Sequence, residues 1–397
     1  MSTHRPEVAD VIRKCQARYE EVYESSAPKR RILHDLARCQ TRALGGHKYQ
    51  CDRCGHEKIV YNSCRNRHCP KCGAAARAQW LEERERDLLP VPYFHVVFTL
   101  PEAVGPLALQ NKRLVYGLFF RAVAETLLTI ARDPRHLGAQ IGGLAVLHTW
   151  GQNLQHHPHV HCIVPGGGLS SDGRRWVPCR DHFFLSVRVL SRYFRGRFLA
   201  LLEQARAAGK LSCGGVIQAL SRPQDWSRWL AAQRASEWVV YAKPPFGGPR
   251  QVLKYLARYT HRVAISNQRL VSFENDQVTF LWKDYARGNR QSTMTLDAVE
   301  FLRRFLLHAL PKSFQRIRHF GFLANRVRAQ KLDLCRKLLG DIHEPNAADV
   351  GPASDTPREP DDLCPQCKVG RMRYVEAIAP GSALDIQEAL QLVFDTS

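Results

Sequence analysis

Apolar residues along this chain switch between two periods, and the switches mark its elements. From Val8 to Leu44 they recur at helical spacing (Val11, Ile12, Tyr19, Val22 and Tyr23, then Ile32, Leu33 and Leu36) with basic side chains between them, which predicts a helical lead-in. From Gly46 to Gly73 the pattern dissolves into Cys, His, Gly, Asn and Arg, too few aliphatics to form a core without a ligand. Tyr93 to Leu100 reads as a buried strand and Pro106 to Ala131 as a long apolar helix. Leu144–Trp150 and His159–Val164 read as two strands of a hairpin, joined by the polar, turn-prone stretch Gly151 to Pro158. Helices are predicted near Ser186–Ala208 and Gln224–Ala235, then a strand at Glu237–Ala242. The Pro-Gly-rich break Lys243 to Pro249 leads into a helix at Arg250–His261. A strand pair near Leu270–Ser272 and Val278–Trp282 and a helix at Leu296–Leu310 complete the body. Asp341 to Asp362 is acidic, rich in proline and nearly free of large apolar residues, the composition of a disordered linker. Beyond it only Cys364–Tyr374 reads as structure.

The expected organisation is a helical segment (residues 1–45), a cysteine-rich module (46–89), a main domain (90–340), the linker (341–362) and a tail with one C-x-x-C knuckle (363–397). A net charge of +21 favours a polyanionic partner, with nucleic acid the leading class. The polar start and the lack of any run of about 18 apolar residues argue against secretion and a membrane span, so the expected setting is intracellular. In a reducing compartment 13 cysteines, several in C-x-x-C pairs, point to metal rather than disulfides.

Cys51-x-x-Cys54 and Cys69-x-x-Cys72 have close to zinc-ribbon spacing, each knuckle offering two thiolates to one tetrahedron. Cys64, His56 and His68 are available for a swapped ligand or a second ion. Arg65, Arg67, Lys71 and Arg77 surround the module and suit phosphate binding, although solvated charges on a purely stabilising clip would look the same. Cys364-Pro-Gln-Cys367 is a knuckle without a following partner pair. Its reading stays open between half a site completed by Cys335 or by another molecule, and two free thiols.

In the second hairpin strand His157-Pro158-His159-Val160-His161 places imidazoles at alternate positions, hence on one face, where they can converge on a metal. His95, alone in its strand, reads as a hydrogen-bonded core residue. On the Arg250–His261 helix Tyr255 and Tyr259 share a face beside the basic stripe Lys254, Arg258 and Arg262. By spacing alone such a pair is core. Cation neighbours, which favour the phenolate and bind phosphate oxygens, are what a tyrosine needs to attack a phosphodiester, so the nucleophile reading stands beside the core one. Trp282, Tyr285, Arg287 and Arg290 form either a strand end with a solvated turn or a strip for stacked bases.

Four stretches in this order resemble the rolling-circle transposases of the insertion-sequence-91 family, in the HUH nuclease superfamily: Asn62–Cys72, Tyr93–Pro101, His156–Leu169 and Tyr255–Asn267. The resemblance implies an α+β fold, a central antiparallel sheet flanked by helices and preceded by the helical lead-in and a small zinc-binding module. It implies that His159 and His161 hold a divalent ion, Mg²⁺ or Mn²⁺, with a third ligand sought among His157, Gln155 and Gln251. It implies that Tyr255 or Tyr259 attacks single-stranded or hairpin-tipped DNA at the ends of a mobile element, giving a 5′-phosphotyrosine. Structural zinc at Cys51, Cys54, Cys69 and Cys72 and DNA contacts from Arg65, Arg67, Lys71, Lys254, Arg258 and Arg262 complete the expected site. No nucleotide-binding loop of the G-x-x-x-x-G-K-[ST] type occurs, in keeping with a covalent intermediate that conserves the phosphodiester energy. The implied setting is the bacterial cytoplasm, at the nucleoid. A rolling-circle replication initiator or relaxase, and a zinc-dependent DNA-binding regulator without catalysis, are the competing expectations.

Overall fold

The computed structural model describes residues 5–73, 85–181, 183–243, 263–284, 288, 290–340 and 363–381. The predicted lead-in is two helices, Val8–Val22 and Ala27–Arg38. The strands, in chain order, are β1 (Gly46–Cys51), β2 (Glu57–Tyr61), β3 (Tyr93–Thr99), β4 (Gly142–Trp150), β5 (His156–Pro165), β6 (Gly167–Leu169) and β7 (Trp176–Pro178). They continue with β8 (Val240–Lys243), β9 (Leu270–Glu274), β10 (Gln277–Asp284), β11 (Arg290–Asp297), β12 (Ile317–Gly321) and β13 (Met372–Ile378).

The centre is an antiparallel sheet in the order β12-β4-β5-β3-β8. Alternation along its strands assigns the two faces. Phe94, Val96 and Phe98 of β3, Ala145 and Leu147 of β4, and Val160, Cys162 and Val164 of β5 point to one side, under the helices Lys112–Arg132 and Val187–Ala207. Phe98 meets Phe194 edge-on, with ring centroids 5.1 Å apart. Each such buried aromatic contributes roughly 2 kcal/mol of transfer free energy, so this face anchors the sheet. The opposite face carries His95, His148, His159 and His161, and at its far end a second cluster in which Leu144, Val146 and Ile163 meet Leu332 and Cys335 of the helix Arg328–Leu339.

The long apolar helix is interrupted at Asn111, giving Gly105–Gln110 and Lys112–Arg132. Asn111 is drawn out of helical geometry by its side chain, which donates to the Ser212 carbonyl at 2.8 Å and accepts from the Ser212 N–H at 2.9 Å. Lys112–Arg132 is long and apolar enough to cross a membrane, yet its apolar residues Tyr116, Phe119 and Val123 are fully buried against the sheet, as in the core helix of a globular domain.

A second sheet, β11-β10-β9, packs with the helix Ala298–Leu307 and the lead-in helices in a core that includes Tyr19, Leu33, Phe280 and Phe301. The strand pair expected here gains a third member, β11, whose first half (Arg-Gln-Ser-Thr) is polar; its alternating Met294 and Leu296 pack on this core, and Leu296 belongs to the strand rather than to the helix predicted to begin there. A third sheet, β13-β1-β2, joins the cysteine module to the residues expected as a separate C-terminal tail.

Candidate metal centres

Pro158 does not interrupt the histidine strand. β5 runs through it, and the Pro158 carbonyl accepts from the Leu100 N–H at 3.1 Å, so His159 and His161 keep one facing. The antiparallel register sets His148 of β4 directly opposite His159. His148, His159 and His161 thereby bring one ring nitrogen each to within 4.8 Å of the others. His159 Nδ1 lies 2.7 Å from the carbonyl of His157, so Nδ1–H donates there and Nε2 is the nitrogen left to face an ion. His161 Nδ1 lies 2.8 Å from His95 Nε2, and in the tautomer in which Nδ1–H donates to that nitrogen its Nε2 is likewise left to face an ion. Ligand orientation by a second hydrogen bond is the arrangement that divalent imidazole sites need, and a set of neutral imidazoles fits such an ion.

The third imidazole of the cluster is His148, which sequence reading missed. His157, the parity candidate, is exposed and contributes its backbone carbonyl, and Gln155 is exposed in the connection between β4 and β5. Neither belongs to the cluster. Gln251 lies outside the described residues. The signal for His148 was its parity opposite His159, invisible until the register of the hairpin is known. His95 is buried in the strand, with its pKa pushed down to about 4 by desolvation, and it acts on the cluster through His161.

The cysteines separate into two clusters, a correction to the single tetrahedron expected from Cys51, Cys54, Cys69 and Cys72. Cys69 and Cys72 gather with Cys39 and Cys64, and Cys51 and Cys54 gather with Cys364 and Cys367. Cys51 and Cys54 sit at the turn of the β1–β2 hairpin, and β2 leads the chain away from it to Cys69 and Cys72, so the two knuckles meet different partners. In the first cluster Cys72 Sγ lies 3.1 Å from Cys39 Sγ and 3.6 Å from Cys64 Sγ. Thiol hydrogen bonds from Cys39 and Cys64 hold the Cys69 sulfur down, to about 4, as a thiolate ligand requires. This donor set fits zinc. Cys39 was read as part of a helix, since it caps Ala27–Arg38 well before the cysteine-rich stretch. His56 and His68 belong to neither cluster.

The basic residues of the module take different roles. Arg65 is exposed, with φ +53°. Arg67 donates to the Phe314 carbonyl at 2.7 Å and the Pro311 carbonyl at 3.4 Å, bracing the module against the body, and Lys71 pairs with Glu7 at 2.5 Å, tying it to the start of the first lead-in helix. Trp282 packs on the second core and Arg290 is exposed, while Tyr285, Arg287 and Arg77 lie outside the described residues. So do Lys254, Tyr255, Arg258, Tyr259 and Arg262. Lys243, the last described residue before that segment, is the register partner of His95.

Imidazoles on one face of an antiparallel sheet, with a cysteine cluster at the N-terminal side, define a metal-binding α+β protein. Residues 142–331 match the family described as "Putative transposase", and residues 11–100 match the "Transposase zinc-binding domain" family. The chain is 55% identical over 384 residues, 95% of its length and 96% of the relative's, to the "Putative transposase y4qJ" of Sinorhizobium fredii. It is 33% identical over 301 residues, 74% of this chain and 70% of the other, to the transposase for insertion sequence element IS801 of Pseudomonas savastanoi pv. phaseolicola. Among solved structures, the conjugative relaxase TrwC in complex with oriT DNA aligns over 42% of this chain and 71% of that one, at 15% identity and a TM-score of 0.24, too low to carry an argument. The chain belongs to the insertion-sequence-91 family of transposases.

Proposed function

We propose that this transposase cleaves and rejoins single-stranded DNA through a tyrosine nucleophile at the histidine centre. The observation that carries this reading is the convergence of His148, His159 and His161, two of them with Nδ1 already engaged. His148, His159 and His161 would hold Mg²⁺ or Mn²⁺, and imidazole donors weigh toward Mn²⁺. When bound, the ion supplies Lewis-acid polarisation of the scissile phosphate. Tyr255 or Tyr259 contributes the nucleophile: its Oη forms a bond to phosphorus as the bond to the 3′ oxygen breaks. The phenolic proton is lost, the leaving oxygen takes up a proton, and the products are a 5′-phosphotyrosine and a free 3′-OH. The reverse attack by a 3′-OH restores a phosphodiester without ATP. A second tyrosine permits a second cleavage while the first end is still attached, which is what strand transfer between the ends of a mobile element requires. Lys254, Arg258 and Arg262, in the same segment, would bind the flanking phosphates.

Purified protein, Mn²⁺ and a labelled single-stranded oligonucleotide from the terminus of the element should give an adduct that survives denaturation. The Tyr255→Phe, Tyr259→Phe double variant should give none. An adduct of equal yield from that variant would overturn the tyrosine mechanism.

A further inference from the structure

We infer that Cys51, Cys54, Cys364 and Cys367 form a second zinc site, one that fastens the C-terminal segment of the chain to its N-terminal module. Cys51 Sγ lies 3.7 Å from Cys367 Sγ, and Cys54 Sγ lies 3.6 Å from Cys364 Sγ. A tetrahedron with zinc–sulfur bonds of about 2.3 Å has sulfur–sulfur edges of about 3.8 Å. A disulfide would need about 2.05 Å, and the cysteines are all free thiols. The spacing is that of a metal site.

Both halves are built to the same plan. In the first, Cys51 N–H donates to the His56 carbonyl at 2.9 Å and Gly55 N–H to the Cys51 carbonyl at 3.2 Å; in the second, Cys364 N–H donates to the Gly370 carbonyl at 2.7 Å and Lys368 N–H to the Cys364 carbonyl at 2.9 Å. The residue after each second cysteine is left-handed, Gly55 at φ +72° and Lys368 at φ +56°. Backbone N–H groups point at the sulfurs, Arg53 to Cys51 Sγ at 3.4 Å and Gly370 to Cys367 Sγ at 3.2 Å, and such bonds stabilise thiolates. The halves close on each other tightly: a Cβ on Gly370 would sit 2.5 Å from Cys51 Sγ.

The surrounding structure explains why a metal is needed. β13 adds to β1 from the pair Gly46 and Ile378 to the pair Cys51 and Met372, and Arg371 N–H donates to Asp52 Oδ1 at 2.8 Å. Apart from cysteines, the buried cluster here holds, among the described residues, only Met372, with Tyr49 partly buried against it. That is far less apolar surface than a three-stranded sheet needs to order itself. Four thiolates supply the missing free energy when they bind zinc, which sulfur donors select. The cysteine cluster at Cys39, Cys64, Cys69 and Cys72 lies wholly within the matched zinc-binding domain, residues 11–100; this one draws half its ligands from outside it.

The test is zinc content of the full-length protein, measured by mass spectrometry of the metal. Cys364→Ser with Cys367→Ser should remove one zinc per chain, as should Cys51→Ser with Cys54→Ser, and the four substitutions together should still remove one. Unchanged zinc in the first variant, or a loss of two in the quadruple variant, overturns the shared site. A second measurement covers the case of a variant that does not fold. A protease site inserted within residues 341–362 of the otherwise unaltered chain allows cleavage of the native protein. The C-terminal fragment should co-elute with the body in zinc and separate after chelation. Separation in the presence of zinc overturns the proposal.

Discussion

His95 Nε2 lies 2.8 Å from His161 Nδ1, linking β3 to β5 at the histidine centre, with the two rings within 9° of parallel. For His161 to offer Nε2 to a metal, its Nδ1–H must donate to an unprotonated His95 Nε2. Burial favours the neutral ring of His95, whose pKa is pushed down to about 4, and only a neutral ring can leave Nε2 unprotonated to accept. Partners of this kind typically govern about 10- to 100-fold in metal affinity. His95→Phe, which removes the acceptor, should therefore weaken Mn²⁺ binding by about that factor in a calorimetric titration, and His95→Gln, which keeps an acceptor oxygen, should weaken it less. Equal affinity in His95→Phe and the parent would show that the contact does not orient the ligand.

The assignment of His148 is separable from that of His157. His148→Ala deletes one imidazole of the cluster and should lower Mn²⁺ affinity by more than about tenfold, with a matching loss of DNA cleavage. His157→Ala removes an exposed ring but keeps the backbone carbonyl that holds His159, and it should bind within about twofold of the parent. The reverse ranking would return His157 to the ligand set.

Arg65 and Arg67 should separate DNA binding from stability. Arg67→Ala loses charge-assisted bonds to the Phe314 and Pro311 carbonyls and should cost about 1.5–3 kcal/mol in chemical denaturation. Exposed Arg65 should leave stability unchanged when replaced by Ala, while reducing the slope of log affinity for single-stranded DNA against log salt by about 0.7. A salt slope that changes only with Arg67 would contradict this division.

Acid should destabilise the fold through its buried histidines. His308 donates Nε2–H to the Leu154 carbonyl at 3.0 Å and lies 3.2 Å from Thr149 Oγ1, and burial lowers its pKa from 6.5 to about 3. His156 Nε2, 2.8 Å from the Tyr116 hydroxyl, is likewise lowered by burial to about 3. Between these values the unfolded chain binds more protons than the native one, so this stability is fully present above pH 6.5 and is lost as pH falls toward 3. Urea midpoints should fall steadily from pH 7 to pH 4, and more shallowly in His308→Gln. A parent midpoint that is flat over that range would refute the assignment.

The amino-acid sequence alone determined the central strands, the flanking helices and the histidine strand, because each carries an apolar period strong enough to fix which side chains are buried. It also placed the cysteines at metal-ligand spacing, since a knuckle is a local turn. The resemblance of four stretches set the family. Tertiary structure decided what meets across distance. His148 joins His159 only through hairpin register, Cys39 joins Cys69 and Cys72 only when a helix end folds onto the module, and Cys364 joins Cys54 only when both ends of the chain come together. It also showed that Arg67 is a strut, because a guanidinium reads the same in sequence whether it meets phosphate or carbonyl oxygen. Periodicity reports the neighbours of a residue along its own element, whereas ligand sets are made of residues from several, and their meeting is fixed by packing.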